Sequence, residues 1–257
     1  MKHIKKKFQF EMHLTDEMIQ SMKNVFEYKP ASGFAKPRPE KGQECILLTE
    51  KNLGIRAFHI NIGGVNYYIP EPDPILLYFH NAYINFIRIK ESKKKVLAVL
   101  NQTKLDEDIS IVLYDYFGYT NGYVIFLFTA IEAFINRFIP ENFSYQIVQR
   151  NRTELYDRDQ IQRYLSFDDK LNKVIVDISK KNFAKTCPLK YKHIDNLKEF
   201  RNIIVHTKAD PNGATPFEYV YKKSLNFSYE DTLLAVRDLL NFYQPNCVED
   251  CPCGGDW

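Results

Sequence analysis

Three residues near the end of one helix-like segment carry side chains that bind anions and exchange protons. The run Leu197–His206 contains Arg201, Asn202 and His206 among mostly apolar residues. An arginine keeps its positive charge and stabilises phosphate oxygens, whereas a histidine side chain exchanges a proton near neutral pH. On a helix, Asn202 and His206 lie one above the other, and Arg201 is displaced from Asn202 by about 100°. The spacing therefore suits a site that binds a phosphate and moves protons.

The same residues also suit a purely structural role. Arg201 is able to pair with Glu132 or Asp195, and His206 is able to cap the helix end by binding a backbone carbonyl. The residues by themselves leave the structural and the chemical interpretation open.

Positive charge is concentrated around these residues. Between Lys170 and Lys208 there are ten Lys and Arg residues against three acids, an excess of +7 in a chain of net charge +3, which leaves −4 for the remainder. Lys and Arg contacts to phosphates supply most of the sequence-independent affinity for nucleic acids. The band suits a polyanion, although a solvated lysine-rich helix face has the same composition. The candidate RNA-binding residues are Lys192, His193, Lys198 and Lys208.

The composition predicts a folded chain whose first part is mixed. Of the 257 residues, 45% are hydrophobic, which is ample for a buried core. Residues 1–72 are interpreted as a small β-containing extension, and prolines at 70, 72 and 74 mark its end. Its predicted elements are a helix over 15–28, a proline-rich loop over 29–42, and strands over 45–48, 55–62 and 65–69 with a Gly63-Gly64 hairpin turn.

Residues 73–245 are interpreted as a helical domain, and 246–257 as a flexible tail that contains cysteines. Gly118 and Asn121-Gly122 are expected to separate two helices, and Cys187-Pro188 to end another. Helices are predicted over 75–90, 106–119, 123–139, 157–165, 167–181, 191–207 and 228–243.

The stretch 123–139 is apolar on most sides and is predicted to be a buried helix. Three polar residues interrupt it, and it is shorter than the roughly 20 residues that span a bilayer. A helix of this kind must bury more than one face. A homodimer interface or the N-terminal extension is able to provide the second surface, and we favour the homodimer.

The segment Leu197-x-Glu199-Phe200-Arg201-Asn202-Ile203-Ile204-Val205-His206 resembles the signature of the HEPN superfamily. That signature is an Arg, usually followed by Asn, Asp or His, and then a His after four to six intervening residues. Four residues separate Arg201 from His206. Thr129–Asn136 resembles the first core helix of such domains, 167–171 the start of the second, 191–207 the third and 229–243 the fourth. The resemblance covers residues 107–245.

The resemblance implies an antiparallel four-helix bundle and a metal-independent endoribonuclease. The motifs of two protomers meet across a dimer interface in such enzymes, and the 2′-hydroxyl of RNA attacks the phosphate. It implies catalytic roles for Arg201, Asn202 and His206, with Glu132 either fixing Arg201 or serving as a plain ion-pair partner. No metal or other cofactor is expected in this chemistry. A role as a toxin or in phage defence, with an antitoxin or regulatory partner, is a family-level expectation.

Two other functions remain open at this point. Some HEPN domains have no nuclease activity and instead bind nucleotides or RNA, or regulate a partner. Alternatively, Cys247, Cys251 and Cys253 hold zinc, with Cys187 or a histidine as the fourth ligand. The usual pairing of two short Cys/His hooks is missing from the sequence, which favours a plain tail.

The sequence favours a cytoplasmic protein. Phe8–Asp16 offers no apolar run of the length that a signal peptide requires. The five cysteines, an odd number, form no recognisable disulfide framework. A reducing cytosol without membrane association is therefore expected.

Overall fold

The computed structural model describes residues 3–21, 25–27, 45–101, 109–149, 152–209, 212–213 and 215–253. The protein is mainly α-helical with a small sheet, as predicted. It divides into two compact units, Met1–Leu76 with Asp250–Trp257, and Leu77–Glu249.

The first unit contains a five-stranded sheet around one long strand. Its elements are β1 (Glu11–His13), α1 (Asp16–Ser21), β2 (Val25–Glu27), β3 (Cys45–Leu48), β4 (Leu53–Ile62) and β5 (Val65–Pro70). β4 pairs antiparallel with β3 on one edge and with β1 and then β5 on the other, while β2 runs parallel to β3. Cys45, Leu47, Ala57 and Tyr68 form a buried cluster in this sheet.

The predicted strands are confirmed, and the predicted first helix is too long. Gly63 and Gly64 have φ values of 60° and 84°, which a tight hairpin turn requires and glycine adopts without strain. α1 ends at Ser21, and Val25 and Phe26 pair with β3 as part of β2. β-branched and aromatic residues fit a sheet better than a helix end, and here the sheet determines their conformation. The predicted loop over 29–42 lies outside the described residues.

The second unit is built from helices and one hairpin. Its elements are most of α2 (Pro74–Leu100), α3 (Ile109–Phe138), β6 (Tyr145–Gln149), β7 (Arg152–Tyr156), α4 (Arg158–Tyr164), α5 (Phe167–Asp169), a π-helical turn (Lys170–Val174), α6 (Ile175–Ser179), α7 (Phe183–Thr186), α8 (Pro188–Val205), α9 (Glu218–Asn226) and α10 (Tyr229–Tyr243).

Three helices, α3, α8 and α10, pack against one another and form the core of this unit. The buried side chains of these three helices include Tyr123, Leu127, Ile131, Leu197, Phe200, Val236 and Leu240. The segment α5–α6 also contacts this core, as two pairs of side chains show. The rings of Phe128 and Phe167 lie 4.7 Å apart, and Asn172 Nδ2 donates to Tyr191 Oη at 2.6 Å. Of the four helical segments singled out in the sequence, the first, third and fourth therefore contact one another, and the second contacts the first and the third.

The predicted break in the first of these segments is wrong, because α3 runs without interruption from Ile109 to Phe138. Each glycine inside a helix costs about 1 kcal/mol relative to alanine, which packing on the same helix readily offsets. Tyr116, Thr120 and Tyr123 are fully buried on either side of the two glycines. A Cβ on Gly122 would lie 3.1 Å from Asn85 Oδ1 of α2, so this glycine permits the close approach of α2 and α3.

The other predicted helices are confirmed in place, with changes in length. α2 extends ten residues beyond the predicted end, through its lysine run to Leu100. The predicted helix over 167–181 contains the π-helical turn and ends at Ser179, where Lys180 adopts a φ of 58°. The β6–β7 hairpin and α9 were not predicted.

α3 also has the length and hydropathy of a membrane span, with half of its most apolar window buried within the protein. Ten of its residues, from Tyr116 to Ile135, are buried among the other helices. This burial agrees with the predicted core helix.

The described part of the C-terminal segment makes defined contacts. Asn241 Oδ1 accepts from the backbone N–H of Val248 at 2.9 Å, and its Nδ2 donates to the carbonyl of Val248 at 3.0 Å. Val248 is buried against the second unit, whereas Asp250 pairs with Ile4 in the first. Residues 254–257 of the predicted tail lie outside the described residues.

We expect Tyr123→Phe to lower the free energy of unfolding by about 0.5–1.5 kcal/mol, the net value of one hydrogen bond. The Tyr123 hydroxyl is fully buried and donates to the backbone carbonyl of Tyr229 at 2.6 Å, which links α3 to α10. Urea denaturation measures this difference. The matched control is Tyr114→Phe on the same helix, where the side chain is 82% exposed and no change is expected. Equal effects of the two substitutions would contradict the role of this bond.

Candidate functional site

The segment Arg201–His206, called the Arg/His segment below, forms the last turn of α8 and the residue that follows it. Pro188 begins the helix, as prolines at first helical positions commonly do. Ile194, Leu197 and Phe200 form its buried face. His206 follows the last helical residue, has φ −113° and ψ 44°, and its backbone N–H donates to the carbonyl of Asn202 at 2.9 Å. The helix end therefore places its side chain in an exposed position.

The guanidinium of Arg201 lies between α3 and Asn202. Its Cζ is 5.2 Å from the centre of the Phe128 ring, and its Nη1 donates to Asn202 Oδ1 at 3.1 Å. An arginine only donates hydrogen bonds, so the amide of Asn202 must present its oxygen to Arg201. The Nδ2 group of Asn202 then faces away from Arg201 as a donor. The hydrogen bond therefore fixes which end of the Asn202 amide faces Arg201.

Asn202 and His206 line an open groove with a volume of about 600 Å³. The groove also contains the exposed side chain of Lys208, which brings a positive charge to the same surface. Its opposite side is formed by Pro216, Tyr219 and Val220 at the beginning of α9. The groove thus combines a proton-exchanging side chain, an amide and a cation at a surface open to solvent.

The α9 side of this groove was not predicted from the sequence. Tyr219 is 52% exposed beside the groove, and α9 packs against both α3 and α8. An exposed aromatic ring is a stacking surface for an unpaired base. The signal in the sequence was the aromatic run of Phe217, Tyr219 and Tyr221 directly after Pro216, for which no helix was predicted.

Glu132 is partly buried on α3, one helical turn beyond Phe128. Among the described residues no hydrogen bond or ion pair joins it to Arg201. Its carboxylate instead interacts electrostatically with Lys170, whose side chain is buried in the π-helical turn. Burial lowers the pKa of Lys170, and the negative charge of Glu132 opposes that shift. In this structure the charge of Glu132 therefore stabilises the protonated form of a buried lysine.

Lys198 is held by acids of its own chain. Its Nζ lies 2.8 and 2.9 Å from the two carboxylate oxygens of Asp168 and 3.9 Å from Asp195. Partial burial opposes protonation, but the ion pair with Asp168 outweighs it and raises the pKa of Lys198. The lysine is charged, yet its charge is largely compensated.

Lys192 and His193 lie about 14–15 Å along the helix axis from Asn202, at 1.5 Å per residue. His193, nine residues before Asn202, is on the opposite face of α8 by the same geometry. Of the four predicted RNA-binding residues, only Lys208 shares the groove with His206 in one chain.

RNA is the expected ligand of this surface, and we expect Asp168→Asn to raise its affinity at low salt, because the substitution removes the carboxylate that pairs with Lys198 at 2.8 Å. Lys208→Gln is expected to weaken binding and to make it less dependent on salt, since each phosphate contact adds to the salt dependence. Fluorescence anisotropy with a labelled single-stranded RNA measures both effects. The matched control is Asp159→Asn, which removes one exposed acid on α4. If the two Asp→Asn variants behave alike, Lys198 makes no specific contribution.

The cysteines predicted as alternative zinc ligands fall in both units. Cys187 and Cys247 belong to the second unit, and Cys247 is 5% exposed. Cys251 and Cys253 belong to the first unit, where their sulfur atoms lie near His3.

Comparison with known proteins finds no match: no family model, no curated protein and no solved structure is similar to this chain.

Proposed function

We propose that the protein is a metal-independent endoribonuclease of the HEPN type. The resemblance of Leu197–His206 to the HEPN signature is the starting point. The proposal is supported by the contacts of α3 with α8 and α10, and by those of α5–α6 with α3 and α8. The observation that carries the proposal is the placement of Asn202 and His206 in one open groove, with Asn202 bonded to Arg201.

Each of the three residues has a distinct role in cleavage. His206 takes the proton from the 2′-hydroxyl or gives a proton to the leaving 5′-oxygen, and its exposed position gives it access to substrate. Arg201 stabilises the charge that builds up on the phosphate. Within the described residues it makes one hydrogen bond, so further N–H donors remain for phosphate oxygens. Asn202 donates from Nδ2 to a phosphate oxygen while Arg201 fixes its amide.

A homodimer completes this scheme. One chain supplies one histidine, His206, to the groove, whereas cleavage needs both an acid and a base. α3 offers an exposed apolar stripe at Ile111, Tyr114 and Ile125, and Val205 next to His206 is 48% exposed. We expect a mass of twice 30.3 kDa by light scattering after size exclusion. A monomer that cleaves RNA at full rate would remove the two-protomer part of the proposal.

The direct test is incubation of the purified protein with single-stranded RNA in EDTA. The proposal predicts cleavage that EDTA does not suppress, and a requirement for the 2′-hydroxyl. A substrate with a single deoxynucleotide at the cleaved position is the matched control and should remain intact at that position. Cleavage of the deoxy position, or dependence on added divalent metal, would overturn the mechanism.

A non-catalytic RNA-binding HEPN domain is the second candidate. Two observations favour it: Glu132 is not bonded to Arg201, and the aromatic side chain of Tyr219 lies beside the groove. RNA bound at low salt with no product after prolonged incubation would select this function. A cytoplasmic toxin or phage-defence role, with an antitoxin or regulatory partner, belongs to the proposal at the level of the family alone.

A further inference from the structure

Three metal-ligating side chains meet in the first unit, apart from the Arg/His site. The ligand atoms of His3, Cys251 and Cys253 all lie within 4.8 Å of one another. Nε2 of His3 and Sγ of Cys253 are 3.1 Å apart, although the residues are 250 positions apart in sequence. Sequence proximity therefore accounts for the two cysteines but not for the histidine.

The backbone holds these residues together independently of their side chains. Ile4 and Asp250 form an antiparallel bridge, and the backbone N–H of Cys251 donates to the carbonyl of His3 at 2.9 Å. Ile4 is 1% exposed, so its buried side chain holds the first residues of the chain in this unit. Because the pairing fixes the register, His3 is set directly beside Cys251.

The donor set and its dimensions suit a zinc ion. We propose that His3, Cys251 and Cys253 form a zinc site that joins the two segments of the first unit. Zinc takes thiolate and imidazole ligands at about 2.3 and 2.0–2.1 Å in a tetrahedron, which places neighbouring ligand atoms roughly 3.6–3.8 Å apart. The observed spread of up to 4.8 Å needs shifts of about 1 Å or less to reach this geometry.

The charge and the burial of the ligands fit the same ion. Two thiolates and a neutral imidazole balance the two positive charges of zinc, and two protons leave the thiols on binding. His3 is 5% exposed, Cys251 is partly exposed and Cys253 is exposed, so the ion reaches the site from the Cys253 side. In this proposal a water molecule is the fourth ligand of the tetrahedron.

The site differs from the ligand set that the sequence suggested. Cys187 and Cys247 lie in the second unit, and the histidine that completes the group comes from the first residues of the chain. Sulfur-rich donor sets select zinc over magnesium or calcium, which prefer oxygen ligands. The zinc site does not depend on ribonuclease activity, so the outcome of its test is independent of the proposed function.

The test is the metal content of the full-length protein purified under reducing conditions and dialysed after exposure to zinc. We expect one zinc per chain by plasma mass spectrometry. Cys251→Ser, Cys253→Ser and His3→Ala should each lower the zinc content, and the double cysteine variant should remove it. The matched control is Cys187→Ser, a partly exposed free cysteine of the other unit, which should keep the full content.

Cobalt substitution provides a second readout that does not depend on tight binding. In the wild-type protein Co²⁺ should give a thiolate-to-metal charge-transfer band, and each single cysteine variant should lose about half of its intensity because one of two thiolates remains. Circular dichroism checks that the variants keep their helices. Absence of both stoichiometric zinc and the charge-transfer band in the wild type would overturn the proposal. So would a Cys251–Cys253 disulfide in the reduced preparation, or equal zinc in the double variant and Cys187→Ser.

Discussion

Replacing His206 with alanine is expected to lower the rate of RNA cleavage by about 100- to 10,000-fold, the usual contribution of a general acid or base. The side chain lines the groove at an exposed position, whereas its backbone N–H forms the hydrogen bond that ends α8. Alanine keeps that backbone bond, so the helix end should persist. Initial rates on a labelled RNA in EDTA measure the effect.

The matched control for His206 is His13→Ala, which removes an exposed histidine from β1 in the other unit. This variant should cleave RNA like the wild type and carry the same trace nucleases through purification. Equal rates of His206→Ala and the wild type, with thermal unfolding unchanged, would exclude His206 from the chemistry.

The second large effect is expected at Arg201. Arg201→Ala should lower the cleavage rate by about 100- to 1,000-fold, the range found when one preorganised donor to a transition-state oxyanion is removed. Arg201→Lys should restore only part of the activity. A lysine ammonium keeps the charge but lacks the planar fork that binds Asn202 Oδ1 and phosphate oxygens together.

The Arg201 variants need a control for folding, because the guanidinium also lies over Phe128. Loss of this cation–π contact costs about 0.5–1 kcal/mol at an exposed site, too little to unfold the unit. Arg152→Ala, which removes an exposed arginine paired with Glu154 in the β6–β7 hairpin, should leave cleavage unchanged. A fully active Arg201→Lys would show that charge alone suffices and would contradict the role assigned to the fork.

Local signals in the sequence were sufficient for α8, α10 and strands β3, β4 and β5, whereas β1 and β2 were not predicted. Pro188 begins α8 three residues before its predicted start, a serine precedes α10, and two glycines turn the β4–β5 hairpin, so each element has a boundary residue of its own. The course of α3 was not predictable in this way. Its two internal glycines are tolerated because of burial against α10 and a close approach of α2, which are tertiary effects.

The motif was visible in the sequence, but its surroundings were not. The hydrogen bond from Arg201 to Asn202 joins neighbours, whereas the ion pair between Lys198 and Asp168 joins residues 30 positions apart. Composition identified Lys198 as a basic residue without showing that an acid compensates it. The placement of α9 across from His206 also depends on packing between helices, which no local pattern encodes.

The zinc proposal illustrates the same limit for residues that are 250 positions apart in sequence. The two cysteines stand out in the sequence, but the ligand that completes the group is His3, brought in by the bridge between Ile4 and Asp250. A single histidine near the first residue carries no signal of its own.

The most direct test of the central claim is to sequence both ends of a defined RNA cut in EDTA by the wild type, Arg201→Ala and His206→Ala. We predict fragments with 2′,3′-cyclic phosphate and 5′-hydroxyl ends in the wild-type reaction, and loss of these cuts with both variants. Fragments with 3′-hydroxyl and 5′-phosphate ends, or identical cuts by all three proteins, would contradict cleavage by Arg201 and His206.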